Sequence, residues 1–266
     1  MPFDTGELHY GPNQLFYGRE WLHDGMSRFV DALLISRFRD AAHEAGAPRV
    51  ALDIGCCTGE RASTLSKLGV FDRIIATDIT DHAYRIRRRN ELDVLHADLG
   101  EKIAPIEFFQ CSAVDLNANR FSEMSVDYVN FRNVAHFLSP PDFCHVLRTI
   151  RTIAAPNAVV AVSFDGVKKD EFADYIDLSE DKTLSAAFYD NQDRKTRHVA
   201  PYGKYHEVEV RRFMQSIGFN LINDAIPGES RDFRPVECYI IATVPAPPAA
   251  LASRQMRKNG GMPFLL

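Results

Sequence analysis

One ten-residue stretch, Val50-Ala-Leu-Asp-Ile-Gly-Cys-Cys-Thr-Gly59, constrains the fold more than any other part of the chain. An apolar run ends at Asp53 and passes into a turn that contains Gly55 and Gly59, after which a helix-forming segment begins. Glycines let such a turn bend sharply and approach a ligand closely, and the amides that open the next helix face that ligand. The stretch therefore predicts a strand, a turn and a helix that bind a nucleotide-type cofactor, with Asp53 placed to receive an amine or to order the loop.

A second carboxylate follows at a matching distance. Residues 73–78, Arg-Ile-Ile-Ala-Thr-Asp, have the pattern of a short buried strand that ends in an acid. Asp78 lies 19 residues after Gly59, close to the spacing of about 20 residues at which an acidic residue takes ribose hydroxyls in nucleotide-binding folds. The sequence therefore predicts Asp78 as a ribose-binding residue, with Ile79 beside it in the same site.

Strand-like and helix-like segments alternate along the rest of the chain, which indicates a mostly parallel sheet with helices on both faces. Residues 158–164 are apolar and largely β-branched, as a central parallel strand should be. The predicted strands are 49–54, 73–78, 106–111, 125–131, 158–164, 219–223 and 235–244. The predicted helices are 26–45, 59–68, 80–90, 142–154 and 206–217.

Composition excludes some classes of function. A net charge of -5 and a pI near 6.0 give no general electrostatic reason to bind nucleic acid. Residues 85–89 form a local basic cluster, whose alternatives are a solvated helix face and a phosphate-binding patch. No apolar run approaches the ~18 residues of a membrane span, so we expect no membrane insertion.

Cysteine usage indicates a reducing compartment. The chain has five cysteines, an odd number, and no secretory leader is evident, so a cytoplasmic location is expected. No C-x-x-C pair exists, and the adjacent Cys56 and Cys57 are poorly placed to chelate one metal ion. We therefore predict no metal site.

The motif Asp53-x-Gly55-x-Cys57-x-Gly59 resembles the first motif of the class I, Rossmann-like S-adenosylmethionine-dependent methyltransferases, whose usual form is Asp-x-Gly-x-Gly-x-Gly. The G-x-G-x-x-G fingerprint of nicotinamide oxidoreductases fits worse, because Cys57 replaces its second glycine and Gly59 falls one residue early. In order of elements the resemblance covers roughly residues 28–244. It implies an α/β fold with a doubly wound, seven-stranded, mostly parallel sheet, an antiparallel last strand and helices on both faces.

The resemblance also implies further cofactor-binding residues. Residues 127–138 look like the family's fourth motif, so Phe131, Arg132 and Asn133 are expected to line the cofactor and the reaction chamber. Residues 111–116 occupy the place of the family's adenine-contacting turn, where Ser112 stands in place of the usual acid and Ala113 follows it. A hydroxyl accepts a hydrogen bond from the adenine amine more weakly than a carboxylate does.

Cys57 is the other departure from the family pattern. If this position has a positive φ angle, its Cβ costs on the order of 1 kcal/mol and narrows the gap to the ligand. If its dihedral angles are ordinary, the thiol is a small group that lines the site. The sequence leaves both alternatives open.

Candidate catalytic and acceptor-binding residues come from the same resemblance. A base is needed only if the acceptor is protonated, and His136, a few residues after the fourth strand, is the candidate, with packing or helix capping as its alternative. Tyr17 is a second candidate catalytic residue. Aromatic side chains before the first helix and after the fifth strand are candidates for the acceptor pocket, although many of them could simply pack on the core. These substrate-binding candidates are Trp21, Tyr189, Tyr202 and Tyr205.

We expect a leader or lid segment at 1–27, a methyltransferase domain at 28–244 with a lid or substrate insertion at 165–205, and a flexible tail at 245–266. The predicted function is transfer of a methyl group from S-adenosyl-L-methionine, with S-adenosyl-L-homocysteine as product, to oxygen or nitrogen of a small molecule. Alternatives are a cofactor-binding or scaffolding protein without turnover, and an RNA or protein methyltransferase. The sequence leaves the oligomeric state open.

Overall fold

The computed structural model describes residues 25–39, 48–97, 101–117, 121, 125–166, 186–189, 202–222, 226–227 and 236–246. Its helices are α1 (Gly25–Phe38), α2 (Glu60–Lys67), α3 (Ala83–His96), α4 (Pro140–Ile153) and α5 (Glu207–Ser216), with short 3-10 turns at Ala113–Asp115 and Ala135–Phe137. Its strands are β1 (Val50–Ile54), β2 (Arg73–Asp78), β3 (Ile106–Gln110), β4 (Val126–Phe131), β5 (Ala154–Gly166), β6 (Ala186–Tyr189), β7 (Tyr202–Tyr205), β8 (Asn220–Leu221), β9 (Ile226–Pro227) and β10 (Val236–Thr243).

The strands form one mixed sheet. Its main path has the order β3-β2-β1-β4-β5-β10-β8. The pairs β3-β2, β2-β1, β1-β4 and β4-β5 are parallel, whereas β10 runs antiparallel to both β5 and β8. The predicted seven-stranded sheet with an antiparallel last strand is therefore confirmed. The reversal of strand order beside β1 places the carboxyl ends of β1 and β4 at a crevice, where open α/β sheets bind ligands.

Helices cover both faces of this sheet, as predicted. One apolar cluster joins α1, α2 and α3 to the sheet, and it includes Leu34, Leu65 and Ile86. A second cluster on the opposite face joins α4 and α5, and it includes Leu147 and Phe213. Both faces of the central strands are buried because helices lie on each side, and this explains why residues 158–164 of β5 are almost entirely apolar rather than alternating.

The sequence placed most elements correctly but missed some boundaries. Helix α3 extends to His96 rather than 90, because Leu92 and Leu95 face solvent and contribute nothing to an inward apolar pattern. Residues 165–205 were predicted as a lid or substrate insertion with no strand assigned, yet β6 and β7 lie there and pair with each other. Each of these strands has four residues, too few for a period to show in sequence. Residues 40–45 of the first predicted helix lie outside the described residues.

Within the described residues, no helix is both long enough and apolar enough to cross a membrane.

Helix α1 supplies the first test of this architecture. Leu34 is fully buried between α1 and the sheet, whereas Phe29 on the same helix is 47% exposed. We expect Leu34→Ala to lower the free energy of unfolding by about 2 to 4 kcal/mol because it leaves a cavity in the core. Phe29→Ala, the matched control, should lower it by less than about 1 kcal/mol. Urea denaturation measures both, and equal effects would contradict the packing of α1 described above.

Candidate functional site

The turn after β1 has a left-handed backbone at every second residue. The φ angles are 71° at Gly55, 48° at Cys57 and 80° at Gly59. A Cβ at Gly55 would overlap the side chain of Val134, and a Cβ at Gly59 would lie 2.7 Å from Cγ1 of Ile86. Both glycines are therefore required by backbone conformation and by space.

This turn is hydrogen-bonded to the end of β2. The amides of Gly55 and Cys56 both donate to the carbonyl of Thr77, at 2.7 and 2.9 Å. The amide of Cys57 donates to Oδ2 of Asp78 at 2.9 Å. The turn that ends at Gly59 and the strand that ends at Asp78, 19 residues later, thus meet at one edge of the sheet.

The structure decides between the two alternatives for Cys57. Its φ of 48° lies in the left-handed region, so its Cβ is strained, and its side chain is exposed at the turn. The neighbouring Cys56 is buried, and burial raises the pKa of its thiol well above the ordinary range. Cys57 therefore has a left-handed backbone, and it has a side chain at the position where the motif that it resembles has glycine.

Asp53 is a buried acid at the end of β1, with only 1% of its surface exposed. Its Oδ1 accepts a hydrogen bond from Nδ2 of Asn130 at 2.7 Å. Its Oδ2 is also buried and has no hydrogen-bond partner among the described residues. Burial raises the pKa of Asp53 to about 6, although the Asn130 hydrogen bond and the charges of Arg61 and Arg132 lower it. At neutral pH the site thus holds a carboxylate with one oxygen left to receive a cation.

Asp78 is the second buried acid at this edge. Its Oδ1 accepts the amide of Thr80 at 2.9 Å and lies 3.9 Å from Nε2 of His82. Burial lowers the pKa of His82, so its imidazole is neutral near pH 7. Because each carboxylate oxygen has two acceptor positions, Asp78 can still take ribose hydroxyls. Ile79, the next residue, is partly exposed, so its side chain can contact a flat apolar group of a ligand.

The predicted adenine turn begins beside Asp78. The amide of Cys111 donates to the carbonyl of Asp78 at 2.8 Å, so the chain leaves β3 next to Asp78. Ser112 is half-buried and Ala113 is buried. Asp115, an exposed acid, ends the short 3-10 turn that follows. The structure therefore brings Ser112 and Ala113 to the edge that holds Asp53 and Asp78.

All three residues predicted at the end of the fourth strand have structural contacts that the sequence did not show. The side chain of Phe131 is fully buried and packs on Phe143, with ring centroids 5.9 Å apart, so only its backbone is left to line a chamber. Asn133 has a φ of 58°, and its amide donates to Oγ of Ser163 at 3.1 Å. This bond fixes the course of the chain as it leaves β4.

Arg132 connects three elements at the same edge. Its Nη1 donates to Oγ of Ser27 on α1 at 2.8 Å, and its Nη2 donates to the hydroxyl of Tyr239 on β10 at 3.4 Å. The guanidinium also lies over the Tyr239 ring, 5.1 Å from its centroid. Arg132 therefore holds the start of α1 beside the end of β4.

The predicted base His136 does not have the properties of one. Its side chain is buried against Phe137, with ring centroids 4.1 Å apart, and burial lowers its pKa to about 3. An imidazole with such a pKa is a weak base at neutral pH. The structure favours the packing alternative for His136.

Tyr205 is a core residue rather than a lining residue of an acceptor pocket. It has no exposed surface, its hydroxyl donates to the carbonyl of Leu138 at 2.6 Å, and its ring meets Phe143 edge-on at 4.8 Å. Its strand pairs with β5, which draws the side chain inward. Tyr189 and Tyr202 lie in β6 and β7, but their side chains lie outside the described part of the structure. Tyr17 and Trp21 also lie outside the described residues.

Four buried polar residues near the site were not predicted: Arg61, His82, Tyr128 and Asn130. A signal for two of them was present in the fourth strand. Polar or amphipathic side chains occupy positions 128, 130 and 132 in alternation with apolar ones. Such a period of two indicates that one face of the strand is polar, even though the whole strand is buried.

The described residues contain no group of three or more histidine, cysteine or acidic side chains that could hold a metal ion. All five cysteines are free thiols.

The strain at Cys57 leads to a prediction. Cys57→Gly removes a Cβ from a left-handed position and should raise the free energy of unfolding by up to about 1 kcal/mol, because the strain it relieves exceeds the added freedom of the unfolded chain. Cys57→Val, with a β-branched side chain, should lower it by about 1 kcal/mol or more. Chemical denaturation measures both. A less stable glycine variant would show that φ at this position is not strained.

The burial of Asp53 leads to a second prediction. Its pKa in the folded protein, about 6, lies above the ordinary value of 3.8. Protonation of Asp53 therefore stabilises the folded protein in full below pH 3.8, and this stabilisation is lost as the pH rises through about 6. At neutral pH the ionised carboxylate destabilises the free protein by about 2 to 3 kcal/mol, and Asp53→Asn should recover much of this.

Urea denaturation between about pH 5 and pH 7.5 tests this prediction. The difference in stability between these pH values should shrink in Asp53→Asn. The exposed Glu91→Gln is the control and should behave like the wild type. The same pH dependence in Asp53→Asn and the wild type would contradict the burial of a raised-pKa acid.

Comparison with known proteins agrees with this geometry. Residues 52–162 match the family model described as a methyltransferase domain. No curated protein matches the sequence. Three solved structures share the fold with TM-scores of 0.52 to 0.55.

The first is 1,6-didemethyltoxoflavin-N1-methyltransferase from Burkholderia thailandensis with bound 1,6-didemethyltoxoflavin and S-adenosylhomocysteine, at 18% identity, covering 86% of this chain and 83% of that one. The second is magnesium protoporphyrin IX methyltransferase from Synechocystis with bound S-adenosylmethionine, at 12% identity, covering 90% and 86%. The third is an S-adenosylmethionine-dependent methyltransferase from Methanosarcina mazei, at 18% identity, covering 80% and 98%.

The matched residues include Asp53, Asp78 and the turn after β1, and the mostly parallel sheet with its antiparallel last strand agrees with the resemblance. Residues 52–162 thus match a methyltransferase domain, and the chain shares the Rossmann-like fold of solved S-adenosylmethionine-dependent methyltransferases.

Proposed function

We propose that this protein transfers a methyl group from S-adenosylmethionine to an oxygen or nitrogen atom of a small molecule. The observation that carries the proposal is the pair of buried acids, Asp53 and Asp78, on either side of the left-handed turn. Two of the structural neighbours act on small molecules, by their names. The acidic net charge of this chain favours a small molecule over RNA.

Each chemical group of the proposed cofactor has a suitable partner among the described residues. Oδ2 of Asp53 has no partner among them and is placed for the ammonium of the methionine part. Asp78 can take the ribose hydroxyls, and Ile79 offers an apolar surface to adenine, whose amine would meet Ser112. Gly55 and Gly59 keep the turn free of side chains that would block close approach.

When bound, S-adenosylmethionine supplies an activated methyl group on a sulfonium, and transfer to the acceptor is an in-line displacement. The protein's contribution is to bind, orient and exclude water, because positioning supplies most of the rate in such a reaction. We assign no base role to His136, since its pKa of about 3 and its burial suit packing.

We propose that the acceptor binds between two segments that join the domain at this same edge. Helix α1 begins at Gly25, and Ser27 near its start contacts Arg132 at the end of β4. The segment 165–205 departs at the end of β5 and returns where Tyr205 pairs with Gly166. Tyr17 and Trp21 in the leader, and Tyr189 and Tyr202 in the insertion, remain our candidate acceptor contacts.

A second candidate function, cofactor binding without turnover, is favoured by one observation. Cys57 places an exposed side chain on the strained turn, where the family has glycine. If the thiol blocks the site, Cys57→Gly should tighten binding of S-adenosylhomocysteine clearly. If the thiol only lines the site, the affinity should change by no more than a few fold.

Calorimetry with S-adenosylhomocysteine on Asp78→Asn tests the proposed function. We expect binding to weaken by about 2 to 3 kcal/mol, because a charged acceptor of two ribose hydroxyls is lost. Asparagine keeps one acceptor oxygen, which can serve the amide of Cys57 or that of Thr80 but not both, so urea denaturation of the variant checks that the turn stays folded. Glu107→Gln, a change to a partly exposed carboxylate on the neighbouring strand, is the control.

Unchanged affinity in Asp78→Asn would overturn the ribose assignment. Saturable binding of a nicotinamide dinucleotide in the same assay would favour an oxidoreductase instead.

A further inference from the structure

An ion pair between α1 and Arg61 is followed by a chain of hydrogen bonds that runs from Arg61 to Asp53, below the turn after β1. Nη2 of Arg61 lies 2.7 Å from Oδ1 of Asp31 and donates to the hydroxyl of Tyr128 at 3.5 Å. Tyr128 donates to Oδ1 of Asn130 at 3.2 Å, and Nδ2 of Asn130 donates to Oδ1 of Asp53 at 2.7 Å. We call Arg61, Tyr128, Asn130 and Asp53 the relay.

The relay has one direction. The single hydroxyl proton of Tyr128 is donated to Asn130, so towards Arg61 its oxygen acts as an acceptor. This arrangement also fixes which end of the Asn130 amide faces Asp53. Every donor therefore points from the guanidinium cation towards the carboxylate, and each hydrogen bond polarises the next.

The residues of the relay are buried, and burial of polar groups costs free energy of folding. Tyr128 has no exposed surface, Asn130 has 5% and Arg61 has 9%. Apolar side chains of α1, α2 and the sheet surround them. Replacing buried charged networks by apolar groups is often neutral or stabilising, so stability alone does not account for the relay. The relay ends at the Asp53 carboxylate, which indicates that it acts on this acid.

We propose that Arg61 and Tyr128 are positioning residues of the cofactor site, which act through Asn130 to keep Asp53 ionised, with its free oxygen turned towards the ammonium of the cofactor. This inference rests on the proposed function, since it assigns that ammonium to Asp53. Asp31 on α1 anchors the far end by holding the guanidinium of Arg61 in place.

The surrounding charges support this role. Arg61 from α2 and Arg132 at the end of β4 favour the ionised form of Asp53, whereas Asp78 at the end of β2 opposes it. Asp31 faces Arg61, and the neutral His82 faces Asp78. Burial is the largest influence, and it raises the pKa of Asp53 to about 6 even with the relay present. Without the relay, Asp53 should hold its proton at a higher pH.

Carbon-13 NMR of the Asp53 carboxyl in the free protein tests the relay directly, with the resonance assigned by Asp53→Asn. We expect a wild-type midpoint near pH 6. Tyr128→Phe and Arg61→Met should each raise this midpoint by at least about half a pH unit, a threefold change in proton affinity. Lys67→Met, which removes an exposed cation from the same helix, is the control and should leave the midpoint unchanged.

Calorimetry with S-adenosylhomocysteine then tests the link to the cofactor. At about pH 5.5 the affinity of each relay variant should fall at least about 2.5-fold below the wild type, and the gap should narrow at about pH 8. A purely structural role would lower affinity equally at both pH values, and that result would overturn the proposal.

An NMR midpoint that stays at the wild-type value in both variants would also overturn the proposal. If the wild type binds no S-adenosylhomocysteine at any pH, the proposed function fails, and the NMR midpoint still decides whether the relay acts on Asp53.

Discussion

The hydrogen bond from the amide of Cys57 to the carboxylate of Asp78 is the contact on which the rest of the site depends. It fixes the turn after β1 to the end of β2, together with the two amides that donate to Thr77. The left-handed angles at Gly55 and Gly59 are compatible with this attachment only because neither residue has a Cβ. The course of this loop in turn determines where Asp53 and Asp78 stand relative to each other.

The site works against the stability of the fold. Asp53 is an acid whose ionised form is disfavoured by its surroundings, and Arg61 is a buried cation. Active and binding sites commonly hold such groups, since a preorganised charge interacts strongly with a ligand where water is excluded. The large apolar clusters on both faces of the sheet supply the stability that tolerates this arrangement.

Sequence reasoning recovered what depends on local patterns. Strand β2 was predicted with its observed bounds, and Asp78 was predicted as a site residue from its place at a strand end, 19 residues after Gly59. It failed where a residue's role depends on distant packing. Tyr205 belongs to the core because β7 joins β5, and His136 is buried by its tertiary neighbours; neither fact has a local signature.

The fourth strand shows how closely site and core are tied. Val129 and Phe131 enter the apolar cluster beneath α4, while Tyr128, Asn130 and Arg132 point to the opposite face. A one-residue slip of this strand would exchange the two sets and bury the polar set beneath α4. In β4, therefore, the fold and the proposed cofactor site rest on the same register, and a deletion or insertion there would destroy both together.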